Sequence, residues 1–358
     1  MIPISKPFLD KKEQKAVIDV LNSGTIASGP KVKIFEEKFA KFCGTKYAVA
    51  ANNGTSALHM ALKATGIKSG DEVITSPFTF AATANSISMQ GAKPVFADIE
   101  EDYFTIDPRE IEKKITSKTR AILTVDLYGQ CCDYDKIEKI AKKNNLILIT
   151  DSCQAHGASY FKRKIGSIGN AAAFSFYATK NLATGEGGMI TTNDKSVADE
   201  AKQFRNHGQS ERYDYVELGF NYRMTDIQAA IGITQLEKLS KFIKIRQKNA
   251  AFYLKNIKNK NIILPKIRDG CNHVFHQFTL RIKNRENLIS LLQKNGIGYG
   301  VYYPKPLHLY SHFKKIGYNE GDFPVSEKIA KEVLSIPVHP LVSEKDLKKI
   351  TSVLENFK

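Results

Sequence analysis

The 358-residue sequence contains no tryptophan, and no apolar run in it approaches the roughly 18 residues that a membrane-spanning helix requires. It shows no internal repeat and no low-complexity linker. Its five cysteines (Cys43, Cys131, Cys132, Cys153 and Cys271) are odd in number and lack framework spacing, so reduced thiols are expected rather than a disulfide scaffold. Cys153 with His156, and His273 with His276, come nearest to metal-ligand pairs; neither has a matching second half, and no metal is expected. The segment Met1–Pro7 turns polar too early for a signal peptide, which predicts a soluble, cytoplasmic protein.

Acidic residues are scarce: 37 Asp and Glu stand against 53 Lys and Arg, for a formal net charge of +16. That balance admits nucleic acid or small anionic ligands as partners. The positive residues are spread along amphipathic segments such as Lys136–Lys143, and no basic tract interleaves with aromatics. A solvated lysine-rich surface is expected, with neither nucleic acid nor membrane as a partner. A diphosphate-bearing ligand suits the same charge.

What is present is ordinary for a globular protein: 42% hydrophobic and 25% charged residues, with length enough for one large and one small domain. Asp10 and Glu13, spaced as a capping box, predict a helix near Gln14–Leu21, and Pro30 opens another through Phe35, Phe39 and Phe42. Short apolar runs then alternate with segments of helical period. Glu72–Thr75, Pro94–Ala97, Ala121–Val125, Leu146–Ile149 and Ala171–Phe174 read as buried strands, and Gly187–Thr192 as a further one. The alternation predicts an α/β domain built on a mostly parallel sheet. Cys131–Cys132 is expected to fill a turn after Tyr128–Gly129–Gln130. A charged helix from Thr225 to Lys255 leaves this domain. A strand at Val274–Leu280, a helix at Leu288–Leu292 and another near Glu327–Leu334 predict a small α+β domain. The boundary is set near residue 240, giving units 1–240 and 241–358.

Lys180 carries the most information. It follows the apolar run Phe174–Ser175–Phe176 and leads into Thr184–Gly185–Glu186–Gly187–Gly188, flanked by Ala, Phe and Gly rather than by other charges. An amine so placed loses hydration, its pKa falls, and the neutral form that attacks a carbonyl becomes accessible. The other reading is a lysine at a strand end facing water. Asp151 closes the run Leu146–Thr150, and the C-terminal end of a buried strand is where open α/β sheets bind ligands. A pyridoxal phosphate (PLP) enzyme needs a carboxylate opposite the pyridine nitrogen, to keep that nitrogen protonated and the ring electron-accepting. A helix N-cap is the plainer reading of the same Asp.

The third segment is Asn53–Gly54–Thr55–Ser56–Ala57–Leu58, between the strand-like Tyr47–Ala51 and a helical Leu58–Leu62. Gly54 permits a tight turn. Thr55 and Ser56 offer hydroxyls and free N–H groups at a helix start, which suits a phosphate and equally a simple N-cap. Ser175 can add a hydroxyl to that phosphate. Phe80 can stack on a flat heteroaromatic ring, or belong to the core.

These segments occur in order with Asp-Ser-Cys-Gln-Ala-His-Gly-Ala (151–158), Ser-Phe-Tyr-Ala-Thr-Lys-Asn (175–181) and Gly-Phe-Asn-Tyr-Arg-Met-Thr-Asp-Ile-Gln-Ala-Ala (219–230). Together they resemble the DegT/DnrJ/EryC1/StrS group of PLP-dependent nucleotide-sugar aminotransferases, over a span from Ile4 to Pro340. The resemblance implies PLP-dependent transferase fold type I, like aspartate aminotransferase. It implies Lys180 as the Schiff-base lysine, Asp151 at the pyridine nitrogen, Gln154 near the ring hydroxyl and Phe80 on the ring face. Gly54, Thr55, Ser56 and Ser175 fall at the phosphate, which Asn221 reaches from the partner subunit of a homodimer. The implied reaction moves an amino group, with L-glutamate as donor, to a keto group of a nucleotide-linked sugar.

Arg223, Tyr302, Tyr303 and His308 become substrate-facing candidates, and Arg205, His207 and Gln209 border the sugar; each also reads as a surface ion pair or a satisfied polar group. Tyr302 stands where many members carry histidine, a departure from the pattern. Two other functions stay open. One is sugar deoxygenation, against which stand an intact Lys180 and cysteines without iron–sulfur spacing. The other is a PLP-binding regulator touching DNA, which lacks an added DNA-binding domain here.

Overall fold

The computed structural model describes all residues from Met1 to Lys358. Seven strands build its central sheet: β1 (Tyr47–Ala51), β2 (Glu72–Thr75), β3 (Lys93–Phe96), β4 (Thr119–Val125), β5 (Ile147–Asp151), β6 (Ala171–Ser175) and β7 (Gly188–Thr192). Across the sheet they lie in the order β1-β7-β6-β5-β4-β2-β3. β2 pairs in parallel with β3 and β4, β4 with β5, and β5 with β6. Only β7 is reversed, antiparallel to both β6 and β1.

The strands read as continuous apolar runs because both faces of the sheet are covered. On one face pack Pro30–Cys43, Tyr134–Lys143 and the first half of Asp226–Asn256, through Phe35, Phe39, Ile137 and Leu239. Phe39 sets its ring edge-on to Phe174 and Phe176, at centroid distances of 5.0 and 5.3 Å. On the other face Gly54–Ala64 and Lys195–Arg205 contribute Leu58, Met60, Ala198 and Ala201.

A smaller C-terminal unit has its own core around Tyr253, Phe278, Leu288, Leu334 and Ile350. Here Phe278–Arg281 pairs antiparallel with Val333–Ile336. The division expected at residue 240 falls inside one 31-residue helix, Asp226–Asn256. Ala229, Leu239 and Ile243 of that helix belong to the sheet-side core, and Ala250 and Tyr253 to the C-terminal one. The N-terminus also joins the C-terminal unit: Ile2 N–H donates to Gly296 O at 2.8 Å, and Gly298 N–H to Ile2 O at 2.7 Å.

Two expected elements are redrawn. The strand foreseen over Val274–Leu280 starts only at Phe278. Phe275 takes a positive φ of 46°, while Val274 and Gln277 donate their N–H groups to Gly129 and Tyr128 of the large unit. The helix foreseen near Glu327–Leu334 runs Pro324–Glu332 and then becomes a strand. Val333–Ile336 has a strand partner 50 or so residues away, which no local apolar pattern discloses.

One carboxylate locks two long helices together. Asp226 is 1% exposed; its Oδ1 accepts from Gly29 N–H (2.9 Å) and Val32 N–H (3.0 Å), and its Oδ2 from Lys31 N–H (3.1 Å). These are orphan amides at the start of Pro30–Cys43, which has no side-chain cap of its own. Asp226→Ala leaves them without an acceptor and is expected to lower the unfolding free energy by about 2–4 kcal/mol. Asp226→Asn, which keeps one acceptor oxygen, is expected to lose less. Urea denaturation checks both; a wild-type midpoint for Asp226→Ala would show that the clamp does not hold the helix.

Candidate active site

β4, β5 and β6 end side by side, with Val125 opposite Asp151 and Asp151 opposite Ala173. Asp151 is buried there as the last residue of its strand. Its Oδ2 accepts from Thr83 Oγ1 at 2.7 Å and its Oδ1 from Cys153 N–H at 3.2 Å. Thr83 Oγ1 in turn lies 3.0 Å from Thr79 Oγ1. Both donors to Asp151 are neutral. They orient the carboxylate without cancelling its charge.

Lys180 follows β6 through a turn in which its own N–H donates to Tyr177 O at 2.8 Å. Burial pulls the Lys180 ammonium below its ordinary 10.5, opposed by Cys153 and Asp151. Burial, reinforced by Asp151, also holds the Cys153 thiol well above its usual range, so Cys153 stays neutral.

Gln154 is fixed at both ends of its amide. Oε1 accepts from Tyr128 N–H at 2.8 Å, and Nε2 donates to Tyr303 Oη at 3.3 Å. Tyr128, at φ 60°, also sends its hydroxyl to the carbonyl of Tyr302. The Tyr303 ring stands 6.1 Å from Phe80, tilted by 36°. Phe80 itself is 59% exposed, a large ring left open to solvent beside a polar site.

At the other end, Asn53 caps Gly54–Ala64, its Oδ1 accepting from Ser56 N–H at 2.9 Å. The cap is therefore Asn53, and neither Thr55 nor Ser56. The Ser56 amide is used within the helix start, while the amides of Gly54 and Thr55 carry no side-chain acceptor. A Cβ on Gly54 would lie 2.7 Å from Ser175 Cβ and 3.1 Å from its Oγ. Only glycine lets this helix start meet the end of β6 so closely.

The structure separates some residues that the sequence grouped. Asn221 is exposed, beside the strand that leads to this helix: Asn52 N–H donates to Tyr222 O at 2.8 Å, and Asn52 Nδ2 to Asn221 O at 3.5 Å. Arg223 Nη1 donates to Asn206 Oδ1 at 2.7 Å and, with Lys202 and Arg205, lines a separate polar cavity of about 630 Å³. Arg205 is an ion pair with Glu36 at 2.6 Å and also donates to Ala50 O. Gln209 accepts from Asn206, and His207 occupies a turn with φ 60°.

His308 is the clear correction among the substrate candidates. It has no exposed surface, and its Nε2 lies 2.9 Å from Glu327 Oε1, so it meets a substrate only through its neighbours. Tyr302 and Tyr303 remain partly open. Thr83, Tyr128 and Asn53 were not foreseen. Asn53 had a signal, a cap-type residue directly before Gly-Thr-Ser. Thr83 had none, because its role depends on a strand far off in sequence. No group of three or more His, Cys, Asp or Glu is placed to hold a metal, and no helix is long and apolar enough to cross a membrane.

Residues 7–355 match the DegT/DnrJ/EryC1/StrS aminotransferase family. The chain belongs to this family. It is 42% identical to the pleiotropic regulatory protein of Geobacillus stearothermophilus, covering 98% of each chain. It is 41% identical to the dTDP-3-amino-3,6-dideoxy-alpha-D-galactopyranose transaminase of Aneurinibacillus thermoaerophilus, over 98% of this chain and 99% of the relative. Among solved structures it superposes on DesV of S. venezuelae, determined in complex with a ketimine intermediate. The TM-score is 0.95 at 36% identity, over 99% of this chain and 98% of that one.

The protein is a PLP-dependent aminotransferase with the fold of that enzyme class. The residues present fit the cofactor. Asp151 is a buried carboxylate whose two donors, Thr83 Oγ1 and Cys153 N–H, are neutral, suited to a protonated ring nitrogen. The Gly54–Ser175 approach, with two uncapped amides beside a hydroxyl, suits a phosphate.

A lowered lysine pKa has a direct consequence. In the cofactor-free aminotransferase, Lys180 is expected to lose its proton at lower pH than an ordinary lysine. Competitive acylation across a pH series, read by peptide mass spectrometry, should give a Lys180 midpoint below 10.5. A midpoint at or above that value would mean the amine sits in water.

Proposed function

We propose that this aminotransferase moves an amino group from L-glutamate to a keto group of a nucleotide-linked sugar, supplying amino sugars for a surface polysaccharide or related glycan. The observation that carries the reading is Lys180, an amine that burial holds below its ordinary pKa, on the turn after β6, the strand that pairs with the Thr83-oriented Asp151. The transaminase name of the relative from A. thermoaerophilus supports a nucleotide-linked substrate. Five free cysteines suit a reducing compartment, and we assign the enzyme to the cytoplasm.

When bound, PLP supplies an electron sink for the charge left as a Cα–H bond breaks, and carries the amino group between donor and acceptor. In this reading Lys180 Nζ would take the proton from the donor Cα and hand it to the cofactor carbon, and the lowered pKa that burial gives it favours the neutral amine this needs. Asp151 holds a proton on the ring nitrogen, and Thr83 and Cys153 N–H keep its carboxylate aimed. Gln154, fixed by Tyr128 N–H and Tyr303, presents its amide to the ring hydroxyl. Phe80 would cover one face of the ring. Thr55, Ser56 and Ser175 hold the phosphate beside Gly54.

Incubating the enzyme with PLP, glutamate and a panel of uridine-, thymidine- and guanosine-linked keto sugars tests the function. Mass spectrometry should show conversion of one keto group to an amine, and 2-oxoglutarate should accumulate. Asp151→Asn is expected to slow that conversion by at least about two to three orders of magnitude, as when a strong electrostatic contact in a dry site is lost. Near-normal turnover in Asp151→Asn would reduce Asp151 to a helix cap.

The site is shared in this proposal between the two chains of a homodimer. Asn221 is exposed, its side chain forms no hydrogen bond within its own chain, and Arg223 lies in a cavity apart from Lys180. Asn221 is thus free to serve the partner's phosphate, and Arg223, with Nη1 held by Asn206, keeps its remaining donors for the partner's substrate, a diphosphate among them. Refolding Lys180→Ala together with Asn221→Ala/Arg223→Ala should create hybrid dimers with one intact site, and so restore some activity. Verified hybrids no more active than either parent would place each site within one subunit.

A further inference from the structure

Two of the five cysteines meet. Cys131 N–H donates to Cys271 Sγ at 3.0 Å, across 140 residues of chain, and the two thiols are in hydrogen-bonding contact with each other. The remaining three point elsewhere. Cys132, the next residue, turns its thiol to Val125 O at 3.3 Å, and Cys153 turns its own to Ala173 O at 3.8 Å. Cys43 lies in the sheet-side core, against Gly166.

The backbone around the pair is laced together. Arg268 donates from its N–H to Gln130 Oε1 and from Nε to Cys131 O, each at 3.2 Å. Gln130 Nε2 donates to Lys266 O at 2.7 Å, and Cys271 N–H to Arg268 O at 3.0 Å. Past the pair, Val274 N–H reaches Gly129 O at 3.2 Å. A disulfide needs Cα atoms within about 7 Å of each other, and an amide of one cysteine resting 3.0 Å from the sulfur of the other meets that limit. The sulfurs can therefore close on each other by side-chain rotation.

The two thiols differ in access. Cys131 is fully buried, whereas Cys271 is half-buried beside the exposed Asn272, so a small reagent meets Cys271 first. Burial, with Cys271 and Asp126 adding to it, holds the Cys131 thiol well above its usual range, so Cys131 stays protonated in the resting enzyme.

We propose that Cys131 and Cys271 are a redox-active pair that a small-molecule disulfide such as oxidised glutathione converts into an internal disulfide. The Cys271 sulfur attacks one sulfur of the reagent, forming a mixed disulfide and releasing one glutathione, which takes up the Cys271 proton. The Cys131 sulfur then gives up its proton and displaces the second glutathione from Cys271. Two protein thiols lose two electrons, and one glutathione disulfide becomes two thiols. The new bond staples the loop after β4, which carries Tyr128 and through it Gln154, to the segment entering the C-terminal unit. In a reducing compartment the pair rests as thiols, and the staple forms when the thiol–disulfide balance shifts.

Equilibrating the PLP-loaded enzyme with mixtures of oxidised and reduced glutathione, then quenching in acid, alkylating and analysing peptides by mass spectrometry, tests this. The wild type should yield a Cys131–Cys271 cross-linked peptide that excess reduced glutathione reverses. Cys132→Ser should retain the cross-link. Cys131→Ser should lose it and stop with glutathione on Cys271, while Cys271→Ser should leave Cys131 unmodified. Circular dichroism checks the fold of each variant. The oxidised wild type should melt about 3 °C or more above the reduced one, the scale of a disulfide closing a long loop, and Cys131→Ser should show no such rise. Absence of the cross-link in the wild type, or its survival in Cys131→Ser, overturns the pairing. A cross-link with an unchanged melting point would show that the bond does not act as a staple.

Discussion

A carboxylate taken out of water must be given hydrogen-bond donors, and the arrangement of this fold depends on where four of them find theirs. Asp226 takes the free amides at the start of Pro30–Cys43 and so joins two of the helices on one face of the sheet. Asp98, just past β3, does the same for the amides of Val325 and Ser326, both at 2.9 Å, and anchors a C-terminal helix on the large unit. Asp126 accepts from Tyr134 Oη, Ser152 Oγ and Cys132 N–H, and burial raises its carboxyl to about 7. Asp151 is oriented by neutral donors as well, Thr83 Oγ1 and Cys153 N–H, at the strand end where the proposed reading puts the cofactor.

The same economy of donors fixes the two units relative to each other. Arg281, on a strand of the small sheet and 6% exposed, holds Glu101 at 2.6 Å and Glu332 at 2.8 Å. Asp98 grips the neighbouring helix from the other side. Gln154, Tyr128 and Tyr303 then span the junction with one amide and two hydroxyls. A site whose members come from both units keeps its geometry only if the junction is firm. Buried, hydrogen-bonded charges provide that firmness more specifically than apolar contact alone, since each has few partners that satisfy it.

Much of the site was legible because its chemistry demands particular residue types at particular junctions. A lysine with no charged neighbours after an apolar run, an Asp closing a strand, and Gly-Thr-Ser opening a helix are all local facts. The sheet strands were readable for the same reason, since both faces are covered and the apolar runs are unbroken. Where reading failed, the deciding contact was distant. Val333–Ile336 looks helical beside Pro324–Glu332 until Phe278–Arg281 lies next to it. His308 looks like a ligand-binding histidine until Glu327 and the ring of Phe323, 4.7 Å away, enclose it. Thr83 has no signature at all.

By itself, then, the sequence determined the local chemistry: which strand ends carry Lys180 and Asp151, where a helix opens on glycine, and that both faces of the sheet are buried. These follow from periodicity and residue type, which act over a few positions. Only the tertiary structure decided which donors reach Asp151, that Asn53 caps the helix Gly54–Ala64, and that one continuous helix, Asp226–Asn256, serves both cores. It also decided that His308 is enclosed and that Cys131 and Cys271 come into contact. Those outcomes depend on burial and on hydrogen bonds between residues far apart in the chain, and such contacts exist only once the elements have packed.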